Sequence, residues 1–182
     1  MVQFRHRLRQ TLFYLSSAWP GPRSSPAIPC AIASELRPGT AEIFKQLAQA
    51  DQVHAIDVAM GLAELGAPPD LVIAGLLHDI GKVQDSYRIT VADRIAHVLM
   101  CRFAPTTVDR LRRSIAPRGG TQGLWALSVH DHVGAGIVRD LGYGDRIEWL
   151  VRHHQTPDPD DPDLLLLQVM DNRVPRRIDR YN

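Results

Sequence analysis

The chain has 182 residues, of which 45% are hydrophobic and 23% charged, and a formal net charge of +1. That length and composition suit a soluble globular domain with its own core, and the near-neutral charge gives no electrostatic reason to expect nucleic acid as a partner. No apolar run reaches the roughly 18 residues that span a bilayer, and Cys30 and Cys101, far apart and at no metal or disulfide spacing, fit thiols in a reducing cytoplasm.

In chain order, residues 1–18 read as a basic amphipathic helix, with Arg5, Arg7 and Arg9 ahead of Leu12, Phe13, Tyr14 and Leu15. The apolar stretch is too short for a signal peptide, and packing on the domain or a partner is preferred to a membrane-surface role. Residues 19–39 carry Pro20, Gly21, Pro22, Pro26 and Pro29, a linker composition that cannot continue a helix. The domain is expected over 40–175, followed by a basic tail at 176–182.

Within the domain, Thr40 is the expected N-cap of a helix from Ala41 to Ala50. His54, Val58, Gly61, Leu62 and Leu65 share the next apolar face, which Gly66 and Pro68-Pro69 end. Asp70 is the expected cap of a helix reaching about Ile80, with Leu71, Ala74, Gly75 and His78 on one side. A helix over Thr90–Phe103 follows, then residues 105–120, whose pattern assigns no element, with a loop marked by Pro117, Gly119 and Gly120. Further helices are expected at about 122–132, 134–141 and 145–154, then an acidic loop at 157–163 and a last helix that carries Leu164, Leu167 and Asp171. Strand alternation is absent, so the fold class is all-α, with six or more helices and an N-terminal extension helix.

The chemistry lies in where His and Asp fall. His54, His78, Asp79 and Asp171 sit at core-facing positions of three helices. Any one of them alone reads as a hydrogen-bonded core residue. Together they form an imidazole and carboxylate set suited to Fe, Mn, Co, Ni or Zn, and a shared ion would offset the several kcal/mol that such groups cost when buried without partners. A second set is His130 with His132, and His153 with His154. Ile147, Leu150, Val151 and His154 share a face, so periodicity favours His154 over His153.

The string Leu76-Leu77-His78-Asp79-Ile80-Gly81-Lys82 resembles the signature of the HD superfamily of metal-dependent phosphohydrolases, over roughly residues 40–175. The resemblance implies an HD-domain-like helical bundle in which His54, His78, Asp79 and Asp171 bind one metal. Asp79, His130 and either His153 or His154 would bind a second. Family pattern prefers His130 to His132 and leans toward His153, so His153 and His154 both stand as candidates. Lys82 matches a position that contacts substrate phosphate, which makes Asp79 and Lys82 the implied catalytic pair. Arg88 and Arg173 are weaker substrate-binding candidates. Ala50 stands where three-metal members carry Glu, so a third ion is not expected. Gly142-Tyr143-Gly144 precedes the His153-His154 pair instead of a Gly-Tyr-Pro motif following it, which disfavours cyclic di-GMP.

The expected function is therefore hydrolysis of a phosphate monoester or diester by metal-activated water, with one or two divalent transition-metal ions as cofactor. The substrate class is a small phosphorylated molecule, with a nucleotide as the default. In overall size the chain is similar to bacterial HD hydrolases of diadenosine tetraphosphate. The rival expectations are an HD-type di-iron oxygenase and a non-catalytic HD binding domain. A cytoplasmic location is expected, and a homo-oligomer is compatible with the sequence.

Overall fold

The structure is a computed structural model, and it describes residues 26–83, 89–115 and 120–173. The N-terminal helix expected at 1–18 and the basic tail at 176–182 lie outside the described residues. The architecture is all-α. In order the helices are α1 (Cys30–Ala33), α2 (Thr40–Phe44), α3 (Gln49–Glu64), α4 (Pro69–Leu77), a 3-10 turn (Ile80–Lys82), α5 (Val91–Phe103), α6 (Pro105–Arg113), α7 (Gln122–Asp140), α8 (Asp145–His153) and α9 (Pro162–Asp171). No helix among the described residues is long and apolar enough to cross a membrane. Among the described residues neither Cys30 nor Cys101 forms a disulfide.

The described chain divides into two compact units, one of residues 89–115 and 120–130, the other of residues 26–83 and 131–173. In the first unit, Thr90 and Asp93 form a reciprocal capping box at the start of α5. Pro105 opens α6 from the first helical position, where a missing N–H costs nothing. A helix thus stands in a stretch to which the sequence pattern assigned no element. Ile89, Ala126 and Leu127 form a small apolar cluster with Trp125, whose indole N–H donates to Ser114 O.

The second unit holds the main core. Its Pro-rich start has the composition of a linker, yet α1 buries Ile32 there, and Ile28 and Leu36 also pack against the core. Gly39, at φ 84°, occupies the N-cap expected of Thr40, a left-handed position that favours glycine. Thr40 Oγ1 instead shares a 2.9 Å hydrogen bond with the Tyr143 hydroxyl. Helix α2 stops at Phe44 and does not run on to Ala50. Gln52 Nε2 donates to Lys45 O and Leu47 O, closing the turn that separates α2 from α3.

Helix α3 ends at Gly66 (φ 71°), where Ala67 N–H donates to Leu62 O and Gly66 N–H to Ala63 O, the paired bonds of a glycine C-terminus. Leu65, expected on the His54 face, is exposed there. Pro68 takes the cap position expected of Asp70. Helix α4 buries every residue from Leu71 to Leu77 and packs on α3, α8 and α9. It ends at Leu77, and the chain reopens as the 3-10 turn, so His78 and Asp79 stand in the break between two helical segments. Helix α7 is continuous through Gly134 and Gly136, where two helices were expected. A Cβ at Gly134 would come within 3.1 Å of Gly81 N and 3.2 Å of a Val151 methyl, so glycine there allows close packing that outweighs its cost of about 1 kcal/mol within a helix. Asp161 caps α9 by accepting from Leu164 N–H, and Leu164, Leu167 and Met170 face the core.

Candidate metal centre

Three helices deliver three ligand-type side chains to one place. His54 comes from α3, His78 from the residue that caps α4, and Asp171 from the end of α9. One ligand atom from each lies within 4.8 Å of the other two. His54 Nε2 is 2.8 Å from Asp171 Oδ1, and His78 Nε2 is 3.4 Å from the same oxygen and 3.5 Å from Asp79 Oδ2. The rings of His54 and His78 meet edge to face at 5.3 Å.

His78 is fixed by its other nitrogen. Nδ1–H donates to Gly75 O at 2.8 Å. A carbonyl can only accept, so the contact sets the tautomer and leaves Nε2 toward the carboxylates. That Nε2 is buried and makes no sound hydrogen bond among the described residues. A buried polar atom without a hydrogen bond is uncommon and calls for an explanation. A divalent ion would take that lone pair, and the donor set of two imidazoles and a carboxylate fits Fe, Mn, Co, Ni or Zn. Among the protein's own groups, burial opposes charge on His78, but Asp79 and Asp171 outweigh it and raise its pKa to about 9. Burial likewise pushes Asp171 up, while its hydrogen bond with His54 and the nearby His78 imidazole hold it well below the usual carboxylate range.

Asp79 divides its two oxygens. Oδ2 faces His78 and accepts from Lys82 Nζ, and Oδ1 lies 3.9 Å from His154 Nε2. His154 repeats the arrangement of His78. It is buried, its Nδ1–H donates to Val151 O at 2.7 Å, and its ring is 5.3 Å from that of His78.

The remaining sequence candidates fall elsewhere. His153 stacks at 4.9 Å on Trp149 and shares a 3.3 Å contact with Thr156 Oγ1 on the half-exposed side of the helix end. His130 is buried on α7 at the close of the first unit, with Nδ1–H donating to Leu127 O at 2.8 Å. His132 is exposed, with Nδ1 3.1 Å from Arg152. Arg173 is exposed just past α9, and Arg88 lies outside the described residues.

Sequence reasoning passed over Asp51. It is fully buried in the first turn of α3, with Oδ1 3.7 Å from Lys82 Nζ. An acid three residues before His54 lies on nearly the same helical face, and that spacing was the available signal.

A family model described as HD domain matches residues 52–174, a span that includes His54, the His78-Asp79 pair and Asp171. No match was found among curated proteins or among solved structures.

Proposed function

The chain belongs to the HD-domain family, and from that premise we propose that it is a metal-dependent hydrolase of a small phosphate ester or anhydride. The observation that carries the proposal is the buried Nε2 of His78, set by Gly75 O and facing the carboxylates of Asp79 and Asp171. In this reading His54, His78, Asp79 and Asp171 hold the first ion. His154 and the Oδ1 side of Asp79 hold a second, with His130 as its third ligand. His130 is favoured because it shares with His78 and His154 an Nδ1–H bonded to the carbonyl three residues back, an outer contact typical of ligating histidines. The buried His154 is preferred to His153 for the same reason.

A bound divalent ion supplies Lewis acidity toward the phosphoryl group and makes water a nucleophile near neutral pH. The chain's own part is to hold the imidazoles in one tautomer, to turn one oxygen of Asp79 to each side, and to keep a positive charge at Lys82. Lys82 uses one donor on Asp79, and an ammonium has three, so a substrate oxygen remains within its chemistry. Arg173 and Arg88 are proposed only as charges that attract an anionic substrate. A nucleotide is the first substrate class to try.

The test is a hydrolysis screen over phosphomonoesters, phosphodiesters and nucleotides with Mn²⁺ added, run beside elemental analysis of the purified protein. Metal-dependent phosphate release that disappears in His78→Ala supports the proposal. Two irons with oxygen consumption and no phosphate release would point to the di-iron oxygenase. Failure to take up any metal would leave a non-catalytic HD binding domain.

A further inference from the structure

Lys82 sits between two buried acids. Its Nζ is 2.5 Å from Asp79 Oδ2 and 3.7 Å from Asp51 Oδ1, and only 12% of its side-chain surface is exposed. Asp51 enters from a different helix and lies one residue ahead of the segment matched by the family model. A carboxylate at that depth costs several kcal/mol unless a cation or donors compensate it, so its approach to Lys82 calls for a reason.

Competition supplies one. If Asp79 is a metal ligand, the ammonium on its Oδ2 contends with the metal for the same oxygen, and two cations there repel each other. Asp51 offers the ammonium a second anion that a small side-chain rotation would bring into hydrogen-bond range. We propose that Asp51 is a positioning residue, an alternative anchor that holds the Lys82 ammonium when Asp79 turns its oxygen to a metal. The inference rests on the metal reading above and gives Asp51 no contact with metal or substrate. It makes Lys82 a movable counter-charge shared between two acids.

Mn²⁺ titration by calorimetry tests this on the 182-residue chain as wild type, D51N, K82M, D51N/K82M and His78→Ala, with melting curves read with and without Mn²⁺. Asp51→Asn keeps the shape and removes the anchor, so Mn²⁺ affinity should fall about ten- to a hundredfold, the range for losing an outer-shell partner. Lys82→Met removes the competing cation and leaves two buried acids without it, so Mn²⁺ should bind about tenfold tighter and the protein without added Mn²⁺ should melt lower. The double variant D51N/K82M should bind Mn²⁺ within about threefold of K82M, because Asp51 acts only through Lys82 and coupled neighbours do not add. Melting reports the same order, with a smaller Mn²⁺-induced rise in Tm for D51N and a larger one for K82M.

Wild-type affinity in D51N, or weaker binding in K82M, would overturn the inference while leaving the metal site intact. Equal Mn²⁺ binding by wild type and His78→Ala would remove the metal reading, and this inference with it. Should D51N not fold, Asp51→Ser is titrated in its place and held to the same expectation of weaker Mn²⁺ binding than wild type.

Discussion

Helices α4 and α8 each end on a histidine of the candidate site, yet they are opposite kinds of helix. Helix α4 is apolar all round and buries seven consecutive residues from Leu71 to Leu77. Helix α8 is amphipathic, with Ile147, Leu150 and Val151 inward while Arg152 and Glu148 pair with each other along its outer side. At both ends an imidazole Nδ1–H donates to the carbonyl three residues back, turning Nε2 toward Asp79. The same local device therefore serves two packing environments. In α4 no face distinguishes a functional residue, and the break in an apolar run marks it. In α8 the face itself separates the buried His154 from the half-exposed His153.

Substitutions can break or sharpen this contrast, and the largest effect should come from the residue both helix ends face. Asp79→Ala is expected to reduce metal-dependent phosphate release to the buffer background while far-UV circular dichroism stays helical. Activity near wild type would remove Asp79 from the account. On the α8 side, His154→Ala should lower activity by about a hundredfold or more, since even an outer-shell loss reaches that range. His153→Ala should stay within about threefold, as expected of a half-exposed side chain distant from the shared contacts. The reverse order in kinetic assays would restore the assignment that family pattern prefers.

Stability should separate the helices by a different rule. Leu150 is fully buried under α8, and Leu150→Ala should cost about 2–5 kcal/mol in urea unfolding. In α4 the sensitive change is an addition. A Cβ at Gly75 would lie 2.6 Å from a Leu62 methyl and 3.3 Å from one of Val58, so Gly75→Ala should cost about 1–3 kcal/mol. A neutral Gly75→Ala would mean that α3 and α4 are not held at this separation.

The smallest effect belongs to the outer end of α8. Arg146 bonds both oxygens of Asp161 at 2.8 and 2.9 Å and one of Asp163 at 2.6 Å. Its partly exposed position limits Arg146→Ala to under about 1 kcal/mol. The Arg146 bond, with help from Leu164 N–H, holds the Asp161 carboxyl below its ordinary 3.8. A depressed carboxylate stabilises the fold above its unfolded-state pKa and loses that contribution as pH falls through the lower folded value. The wild-type advantage over Arg146→Ala should thus be present at neutral pH and shrink below about pH 4. An advantage that grows in acid would contradict the pairing.

Much of this site was legible because its chemistry interrupts hydrophobic patterns. His78-Asp79 stands out at the end of an apolar run, and His54 and Asp171 fall on faces that α3 and α9 turn inward. What stayed hidden depended on contacts distant in sequence. Two helices were expected where α7 is continuous, and the close approach of Gly134 to Gly81 and Val151 is a contact that only the fold reveals. The stop after Phe44 depends on a glutamine side chain reaching back from α3. Asp51 looked like one acid among many until Lys82, 31 positions later, came within 3.7 Å.

The central claim is that the His54, His78 and Asp171 cluster holds a metal, and calorimetric titration of chelator-treated wild type and His78→Ala with Mn²⁺, Co²⁺ and Zn²⁺ tests it most directly. Wild type should bind one or two ions tightly per chain, and His78→Ala should lose at least one while keeping the helical fold. Equal uptake by both proteins, or none by wild type with any of the three ions, would contradict it.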